Sequence, residues 1–278
     1  MRLPAWNPHP DVWVLFGSIA VLYVLAIRNH ERETGEPTSR RQMKLFLGGI
    51  GVLWLGAEWP IHDLAERYLY TAHMVQHLLF SWVAAPLIVA GLPAWLLRRM
   101  LRPRGLRAVV AFLTRPVVAL VLFNGVLLFT HWPAVVDFSV GSEWGHFGLH
   151  VLLVGSAFAM WWPVVSPLPE MPPLPAPGQC LYLFLQSLAP TIPASFLTFG
   201  TSLIYPVYAT FPRIWGISPL TDQLIAGLVM KIVGGAILWT EIAVIFFRWH
   251  AQEERDGWDS LKYRNVEHEI RAELTRSK

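Results

Sequence analysis

Long apolar runs separated by short polar or proline-rich stretches are the dominant pattern of this chain. Each run approaches the about 20 residues of helix that a bilayer core requires. The runs show no period-two alternation of the kind a membrane β-barrel needs, and a continuous apolar run in lipid must satisfy its backbone hydrogen bonds as a helix. The pattern predicts an all-α fold, a bundle of seven transmembrane helices. The predicted spans are residues 12–27, 45–59, 73–90, 117–132, 146–162, 181–199 and 224–247.

The composition agrees with a polytopic membrane protein. Hydrophobic residues make up 54% of the 278 residues and charged residues only 15%, whereas about 25% of an average soluble domain is charged. The single cysteine excludes a disulfide-stapled scaffold and a CxxC redox or zinc module. We divide the chain into a transmembrane domain, residues 1–249, and a polar cytoplasmic tail, residues 250–278.

Lysine and arginine are distributed unevenly between the spans, and this predicts the orientation. Residues 28–44, 98–115 and 248–278 hold 18 of the 22 basic residues, and basic residues gather on cytoplasmic loops. We therefore expect the N-terminus outside and the C-terminus in the cytoplasm. The connection at residues 163–179 carries seven prolines and is predicted to be extended, on the cytoplasmic side. The net charge of +3 then reflects topology rather than a nucleic-acid partner.

Six of the ten histidines fall at the predicted outer ends of the spans. Two pairs have i, i+4 spacing, which places both rings on one helical face with Cβ atoms about 5–6 Å apart. Such pairs can chelate a metal ion, and imidazole suits copper, zinc, iron or nickel. Cys180 starts a span at the opposite face and cannot contribute a thiolate. We predict a metal site at the outer face with the ligands His62, His73, His77, His131, His146 and His150. The four histidines in polar segments receive no role: His9, His30, His250 and His268.

Three further polar residues are predicted to support these ligands. Gln76 lies between two of the histidines, and Asp222 and Gln223 open the seventh span. Asp222 can cap that helix, or all three can orient a ligating ring through a hydrogen bond. Lys231 and Glu241 lie inside the seventh span, ten residues and about 15 Å apart. They are too far apart to pair with each other.

The histidine segments and several motifs around them follow one another along the chain in a fixed order and spacing. These are His73-Met74-Val75-Gln76-His77-Leu78-Leu79, Ala85-Pro86-Leu87, Gly91-Leu92-Pro93, His131-Trp132-Pro133, His146 with His150, Trp161-Trp162-Pro163, Tyr205-Pro206, Asp222-Gln223, Gly227 and Met230. Together they resemble the CtaG family of cytochrome c oxidase assembly factors, which are associated with caa-type haem-copper oxidases. The resemblance implies a multi-pass, non-enzymatic protein of the bacterial cytoplasmic (inner) membrane. It implies that the protein assists copper delivery to the catalytic subunit of the oxidase, with a periplasmic copper donor as a second partner.

Three other functions fit parts of the pattern. A b-type haem carrier would take one axial histidine from each of two helices, although the i, i+4 spacing leaves an extra imidazole beside each. A copper transporter would use the charges of Lys231 and Glu241 along a path. A stable accessory subunit of the oxidase would be held by its apolar surface. Copper is implied mainly by the resemblance, and zinc fits the same imidazoles.

Overall fold

All regular secondary structure in the described part of the chain, residues 3–276 of this computed structural model, is helical. Side chains are described for these residues except 256 and 258–276. The predicted all-α fold is confirmed. The helices are α1 (Pro10–Thr34), α2 (Arg40–Ala57), α3 (Ile61–Arg67), α4 (Tyr70–Gly91), α5 (Ala94–Met100), α6 (Arg104–Leu113), α7 (Pro116–Thr130), α8 (Pro133–Gly141), α9 (Glu143–Val165), α10 (Ala176–Gln186), α11 (Thr191–Phe199) and α12 (Pro219–Leu228, Val229–Val233 and Gly234–Arg276).

The described residues contain five or six candidate membrane spans. α6 and α7 make the sixth if they are taken as one span, although they are bent by 78°. α2 is an 18-residue helix, but Arg40, Arg41 and Lys44 lie in its first turns, and it is not among the candidate spans. Seven spans and the direction of the termini therefore stay predictions. The five segments that are long and apolar enough to cross a membrane are Pro10–Thr34, Tyr70–Gly91, Glu143–Val165, Ala176–Phe199 and Pro219–Arg255.

Helix α4 lies at the centre of the bundle and packs against α2, α9 and α12. Its buried Met74 and Leu78 belong to the main hydrophobic core. At the end of α4 the backbone approaches α2 so closely that a Cβ on Gly91 would lie 2.3 Å from the amide nitrogen of Phe46. Tyr23 of α1 donates a hydrogen bond to the Gly91 carbonyl over 2.9 Å. Small residues permit such close packing between membrane helices, and here they hold α4 in place.

Two π-helical turns interrupt the long helices, Leu79–Ala84 in α4 and Val229–Val233 in α12. A π-turn forms i→i+5 hydrogen bonds and shifts the local carbonyls out of the α-helical register. The carbonyl of Ser81 accepts a hydrogen bond from the indole nitrogen of Trp161 in α9, over 2.7 Å. This bond stabilises the irregular turn and ties together the two helices that carry the histidine pairs.

The proline-rich connection follows the prediction in part. Helix α9 continues through Pro163 to Val165, so the non-helical stretch is residues 166–175 rather than 163–179. Proline is tolerated inside a membrane helix when neighbouring groups satisfy the freed backbone. Glu170 in this connection accepts a hydrogen bond from Arg98 of α5 over 2.7 Å. The connection therefore lies at the same end of the bundle as the basic helix α5, which agrees with their predicted placement on one side.

Helix α12 has no break at the predicted domain boundary. It runs without interruption from Gly234 through residue 249 to Arg276. The predicted polar tail, residues 250–278, thus begins as a continuation of the last span. Its last two residues lie outside the described residues.

Candidate metal site

The two predicted histidine pairs face each other across helices α4 and α9. The ring centroid of His73 lies 5.3 Å from that of His146 and 5.6 Å from that of His150. The centroids of His73 and His77 are 4.2 Å apart, as are those of His146 and His150. One ring nitrogen from each of His73, His146 and His150 lies within 4.8 Å of the other two. We call these three residues the histidine cluster.

His77 and His131 continue the line of rings farther into the bundle. The centroid of His77 lies 5.2 Å from that of His150 and 6.1 Å from that of His131. Nδ1 of His131 lies 2.7 Å from the carbonyl oxygen of Leu127. Because a carbonyl only accepts, Nδ1 carries the proton and Nε2 keeps a lone pair. Nε2 is buried with no hydrogen-bond partner among the described residues, so it is available as a ligand.

Ser139 and Glu66 contact opposite nitrogens of the His146 ring. The Ser139 hydroxyl, in α8, lies 3.1 Å from Nδ1, and Oε1 of Glu66, in α3, lies 3.4 Å from Nε2. The same carboxylate oxygen is 3.6 Å from Nε2 of His62. Burial raises the pKa of Glu66, and His146 opposes that shift. Neither residue is among the predicted ones. Glu66 follows His62 by four residues, a spacing that shares a helical face, and Ser139 precedes His146 by seven, but only the tertiary fold brings both to one ring.

His62 lies beside the histidine cluster rather than within it. Its Nδ1 is 3.3 Å from the side-chain nitrogen of Gln76, which also donates to the Gly56 carbonyl over 2.8 Å. In the described structure, Gln76 is thus the one predicted supporting residue whose side chain contacts a histidine ring. Burial lowers the pKa of His62, and the charge of His9 lowers it further. Both effects favour the neutral ring, which is the form that binds a metal ion.

The segment before α1 contributes a histidine to which the sequence analysis gave no role. The ring of His9 stands edge-on to that of His62, with centroids 4.7 Å apart. Its Nε2 lies 2.9 Å from Asp63, whose side chain is only 4% exposed. Asn7 donates to the other oxygen of Asp63 over 3.2 Å. His9 and Asp63 are 54 residues apart in the chain, so no local pattern could have signalled this contact.

Asp222 caps helix α4 rather than its own helix. Its two carboxylate oxygens accept hydrogen bonds from the backbone N–H groups of Tyr70, over 2.8 Å, and Thr71, over 2.9 Å. The cap of α12 is Ser218, whose hydroxyl accepts from the Thr221 amide. The expectation that Asp222 caps its own helix is therefore wrong. The physical reason is that the first N–H groups of α4, which lack intrahelical partners, lie against it.

Gln223 supports the loop between α11 and α12. Its side-chain oxygen accepts from the Ile204 amide over 2.7 Å, and its nitrogen donates to the Ser202 carbonyl over 3.2 Å. From this loop the Tyr205 hydroxyl donates to the backbone carbonyl of His131 over 2.7 Å. In the described part of the chain, neither Asp222 nor Gln223 hydrogen-bonds to a histidine ring. They position the backbone segments that carry or contact the histidines.

A small cavity lies beside the histidine cluster. Its volume is about 20 Å³, which is about the room that one water molecule needs, and it touches His73 and His150 of the cluster and the neighbouring His77. Three imidazoles from two helices are a ligand set that would suit copper or zinc. Cys180 is remote from this site, since its sulfur lies 3.8 Å from the carbonyl of Ile242 in α12.

The fold and this site define a helical membrane protein with a cluster of partly buried imidazoles between two of its spans. The chain belongs to the cytochrome c oxidase caa3 assembly factor family (Caa3_CtaG), whose sequence profile matches residues 21–252. The match confirms the family that the sequence features indicate. It includes all six histidines predicted as ligands and excludes His9.

Three curated mycobacterial proteins are similar to this chain. Uncharacterized protein Mb0105 of Mycobacterium bovis and uncharacterized protein MT0111 of Mycobacterium tuberculosis are each 27% identical to it over 213 residues. Uncharacterized protein ML1998 of Mycobacterium leprae is 26% identical over the same length. Each alignment covers 67% of this chain but only 31% of the relative, so the chain spans about a third of the length of these proteins. No solved structure matches the chain.

Proposed function

We propose that this protein is an assembly factor for cytochrome c oxidase that binds copper at the histidine cluster and passes it to the catalytic subunit. In this proposal the cluster lies at the outer face of the bacterial cytoplasmic membrane. The observation that carries the proposal is the approach of one nitrogen from each of His73, His146 and His150 to within 4.8 Å. Family membership supports the oxidase as the client.

The ligand set suits transfer of an ion rather than permanent storage. Imidazoles bind copper without the closed thiolate cage that would hold it too firmly. Three protein ligands leave a coordination position at which a residue of the client can attack. Ser139 contacts Nδ1 of His146, and Glu66 lies 3.4 Å from Nε2 of the same ring. Such outer contacts fix the ring orientation and raise the affinity for a cation.

A row of polar side chains leads from the N-terminal segment to the histidine cluster. The rings of His9 and His62 are 4.7 Å apart, and the Glu66 carboxylate lies 3.6 Å from His62 and 3.4 Å from His146. Spacings of this size allow an ion to exchange one ligand at a time. A copper donor outside the membrane delivers the ion to the histidine cluster along this row of side chains.

The geometry supports a single ion better than the alternatives of haem binding or transport. A bis-histidine haem needs a wide slot with one ring on each face, whereas the cavity against the histidines measures about 20 Å³. Each ring of the two pairs has a second ring 4.2 Å away. The side chains of Lys231 and Glu241 are exposed on the bundle surface, so they do not form a path through it.

Metal analysis of the purified full-length protein tests the proposal. We expect copper to be retained by the wild type and lost from His73→Ala, His146→Ala and His150→Ala. Each substitution should lower the affinity of the cluster at least as strongly as the loss of an outer partner of a metal ligand, which costs about 10–100-fold. Oxidase activity of the host cells should fall in parallel. His250→Ala, at an exposed position, is the matched control and should change neither quantity.

Three results would contradict the proposal. Copper bound equally by all three variants would exclude the cluster as the site. A Soret band without copper would indicate haem binding. Co-purification with mature oxidase at fixed stoichiometry would identify an accessory subunit instead of a transient factor.

A further inference from the structure

A second cavity lies next to the histidine cluster, farther along α4 from its N-terminus. Its volume is about 40 Å³, and it is bordered by α4, α7, α9, α11 and α12. A water molecule needs about 10–15 Å³ by this measure, so the cavity is large enough for a single ion. Four potential soft-metal donors line it: His77, His131, Met74 and Met230. We call this space the inner cavity.

Buried polar atoms on its wall indicate that the inner cavity is built for an occupant. Nε2 of His131 and the hydroxyl of Ser81 are buried and have no hydrogen-bond partner among the described residues. His131 is 9% exposed and Ser81 is 2% exposed. A buried polar atom without a partner costs about 1–3 kcal/mol. A bound ion or ligand would remove that penalty at the His131 ring.

Both π-helical turns of the chain's described residues border the inner cavity. Ser81 lies in the turn Leu79–Ala84, and Met230 lies in the turn Val229–Val233. Turns of this type are frequent at functional sites, where they redirect side chains that a regular helix would place elsewhere. Two of them on the walls of one cavity set it apart from ordinary core packing.

We propose that the inner cavity is a second metal site, selective for Cu(I), with the rings of His77 and His131 and the thioethers of Met74 and Met230 as ligands. This second proposal rests on the proposed function, because the ion reaches the inner cavity through the histidine cluster. His77 connects the two, since it lines both the inner cavity and the small cavity against the cluster.

The donors and the charges decide the oxidation state of the ion. Thioether sulfur prefers Cu(I), whereas imidazole and carboxylate also accept Cu(II) and Zn(II). No acidic residue is among those that line the inner cavity in the described structure. Without a carboxylate to offset it, the charge of a divalent ion costs more in an apolar surrounding than the charge of a monovalent ion. The inner cavity therefore accepts Cu(I) and rejects zinc.

Silver and zinc titrations of the purified full-length protein test this site, with Ag(I) as a redox-inert probe for Cu(I). We expect two equivalents of Ag(I) or anaerobically supplied Cu(I), but one equivalent of Zn(II), in the wild type. Met74→Leu and Met230→Leu should each lose one Ag(I) equivalent and keep the zinc equivalent. Met160→Leu replaces a fully buried methionine of α9 that does not line the cavity, and it should behave like the wild type.

X-ray absorption of the Cu(I) protein gives an independent measurement. Sulfur scattering from the wild type, and its loss from both leucine variants, would support the inner site. Methionine-to-leucine exchange conserves volume and usually costs less than about 1.5 kcal/mol, and thermal unfolding verifies that the variants fold. If one of them does not fold, the wild-type spectrum and His131→Ala provide the same test.

The outcomes separate the inner site from the proposed function. One equivalent of Cu(I) without sulfur ligands, lost in His146→Ala, would overturn the inner site and leave the histidine cluster standing. A thioether-ligated ion that is still bound in His146→Ala would support the inner site. It would count against the histidine cluster as the place through which the ion enters the inner cavity. Absence of any bound copper or silver would overturn both.

Discussion

The histidine cluster and the inner cavity are neighbours that share a helix, yet they offer different chemistry. The cluster has only imidazoles near its centre, and the carboxylate of Glu66, which is 32% exposed, lies 3.4 Å from one of them. The inner cavity has two imidazoles, two thioethers and no acidic residue on its wall in the described structure. A charged carboxylate is costly in an apolar interior unless it is paired. The difference teaches that the face of α4 selects the donors, because His73 lies against His146 of α9 whereas the adjacent Met74 lines the inner cavity.

The two regions also differ in the helices that build them. The cluster depends on α4 and α9, which supply His73, His146 and His150. The inner cavity takes its donors from α4, from the end of α7 and from the π-turn of α12. Substitutions can therefore disturb both regions together through α4 or separate them through their other walls.

The largest expected effect is the loss of both regions when the cap of α4 is removed. Asp222→Ala leaves the N–H groups of Tyr70 and Thr71 without their acceptors at a site where Asp222 is 1% exposed. We expect the free energy of unfolding to fall by on the order of 3 kcal/mol. Zinc and silver binding should both weaken, because His73, His77 and Met74 all lie on α4. Thermal unfolding in detergent and metal titration measure the two effects.

Two further variants calibrate the effect of Asp222→Ala. Asp222→Asn keeps one acceptor oxygen and should lose less stability than the alanine variant. Asp137→Ala removes an exposed carboxylate of α8 and should leave the unfolding temperature unchanged. Selective loss of only one of the two metals in Asp222→Ala would show that α4 does not position both regions.

An intermediate effect is expected at Glu66, which should sharpen the contrast between the two regions. Glu66→Gln removes the negative charge beside His146 and His62. We expect the zinc affinity of the cluster to fall by about 10-fold, the size of effect seen when an outer partner of a metal ligand is lost. Silver binding to the inner cavity should not change. Isothermal titration with each metal measures both affinities.

Glu143→Gln is the matched control for Glu66→Gln. Glu143 is an exposed carboxylate in the first turn of α9, and its removal changes the net charge equally. An equal loss of zinc affinity in both variants would mean that general electrostatics, rather than the contact with His146, is responsible.

The smallest effect is expected at His9, where only the rate of loading should respond. His9→Ala removes a ring that packs on His62 but lies outside the cluster. We expect copper transfer from a soluble chelate to slow severalfold, with the affinity at equilibrium unchanged. Stopped-flow mixing measures the rate. His30→Ala is the control, since His30 stacks on Trp95, with ring centroids 4.0 Å apart, away from the cluster. A lower affinity, or an unchanged rate, would count against a loading role for His9.

Much of the fold followed from local patterns. Apolar runs indicated helices, and the i, i+4 spacing of His73 with His77 and of His146 with His150 indicated shared faces, because helical periodicity is a local property. The bend between α6 and α7, the π-turns and the continuation of α9 through Pro163 were not predicted. These irregular features depend on partners elsewhere, as the bond between Trp161 and Ser81 shows.

The candidate site was predictable only where its residues recur at helical spacing, as in the two histidine pairs. Glu66 reaches His146 and His9 reaches His62 through tertiary packing, and Ser139 contacts His146 across the break between α8 and α9. Asp222 was singled out for its place at a helix start, but the helix that it caps is a different one. A polar side chain binds whichever unpaired backbone groups lie nearest in space, and sequence distance does not reveal these.

The sequence by itself determined that the chain forms apolar helices, that two of them carry paired imidazoles, and that the protein belongs with oxidase assembly factors. These properties reside in residue type and short-range spacing. Only the tertiary structure decided which rings meet, which carboxylate accompanies them and that Met74 and Met230 line one cavity with His77 and His131. Those relations arise from packing between helices, where side-chain volumes and unpaired polar groups of distant segments select one arrangement.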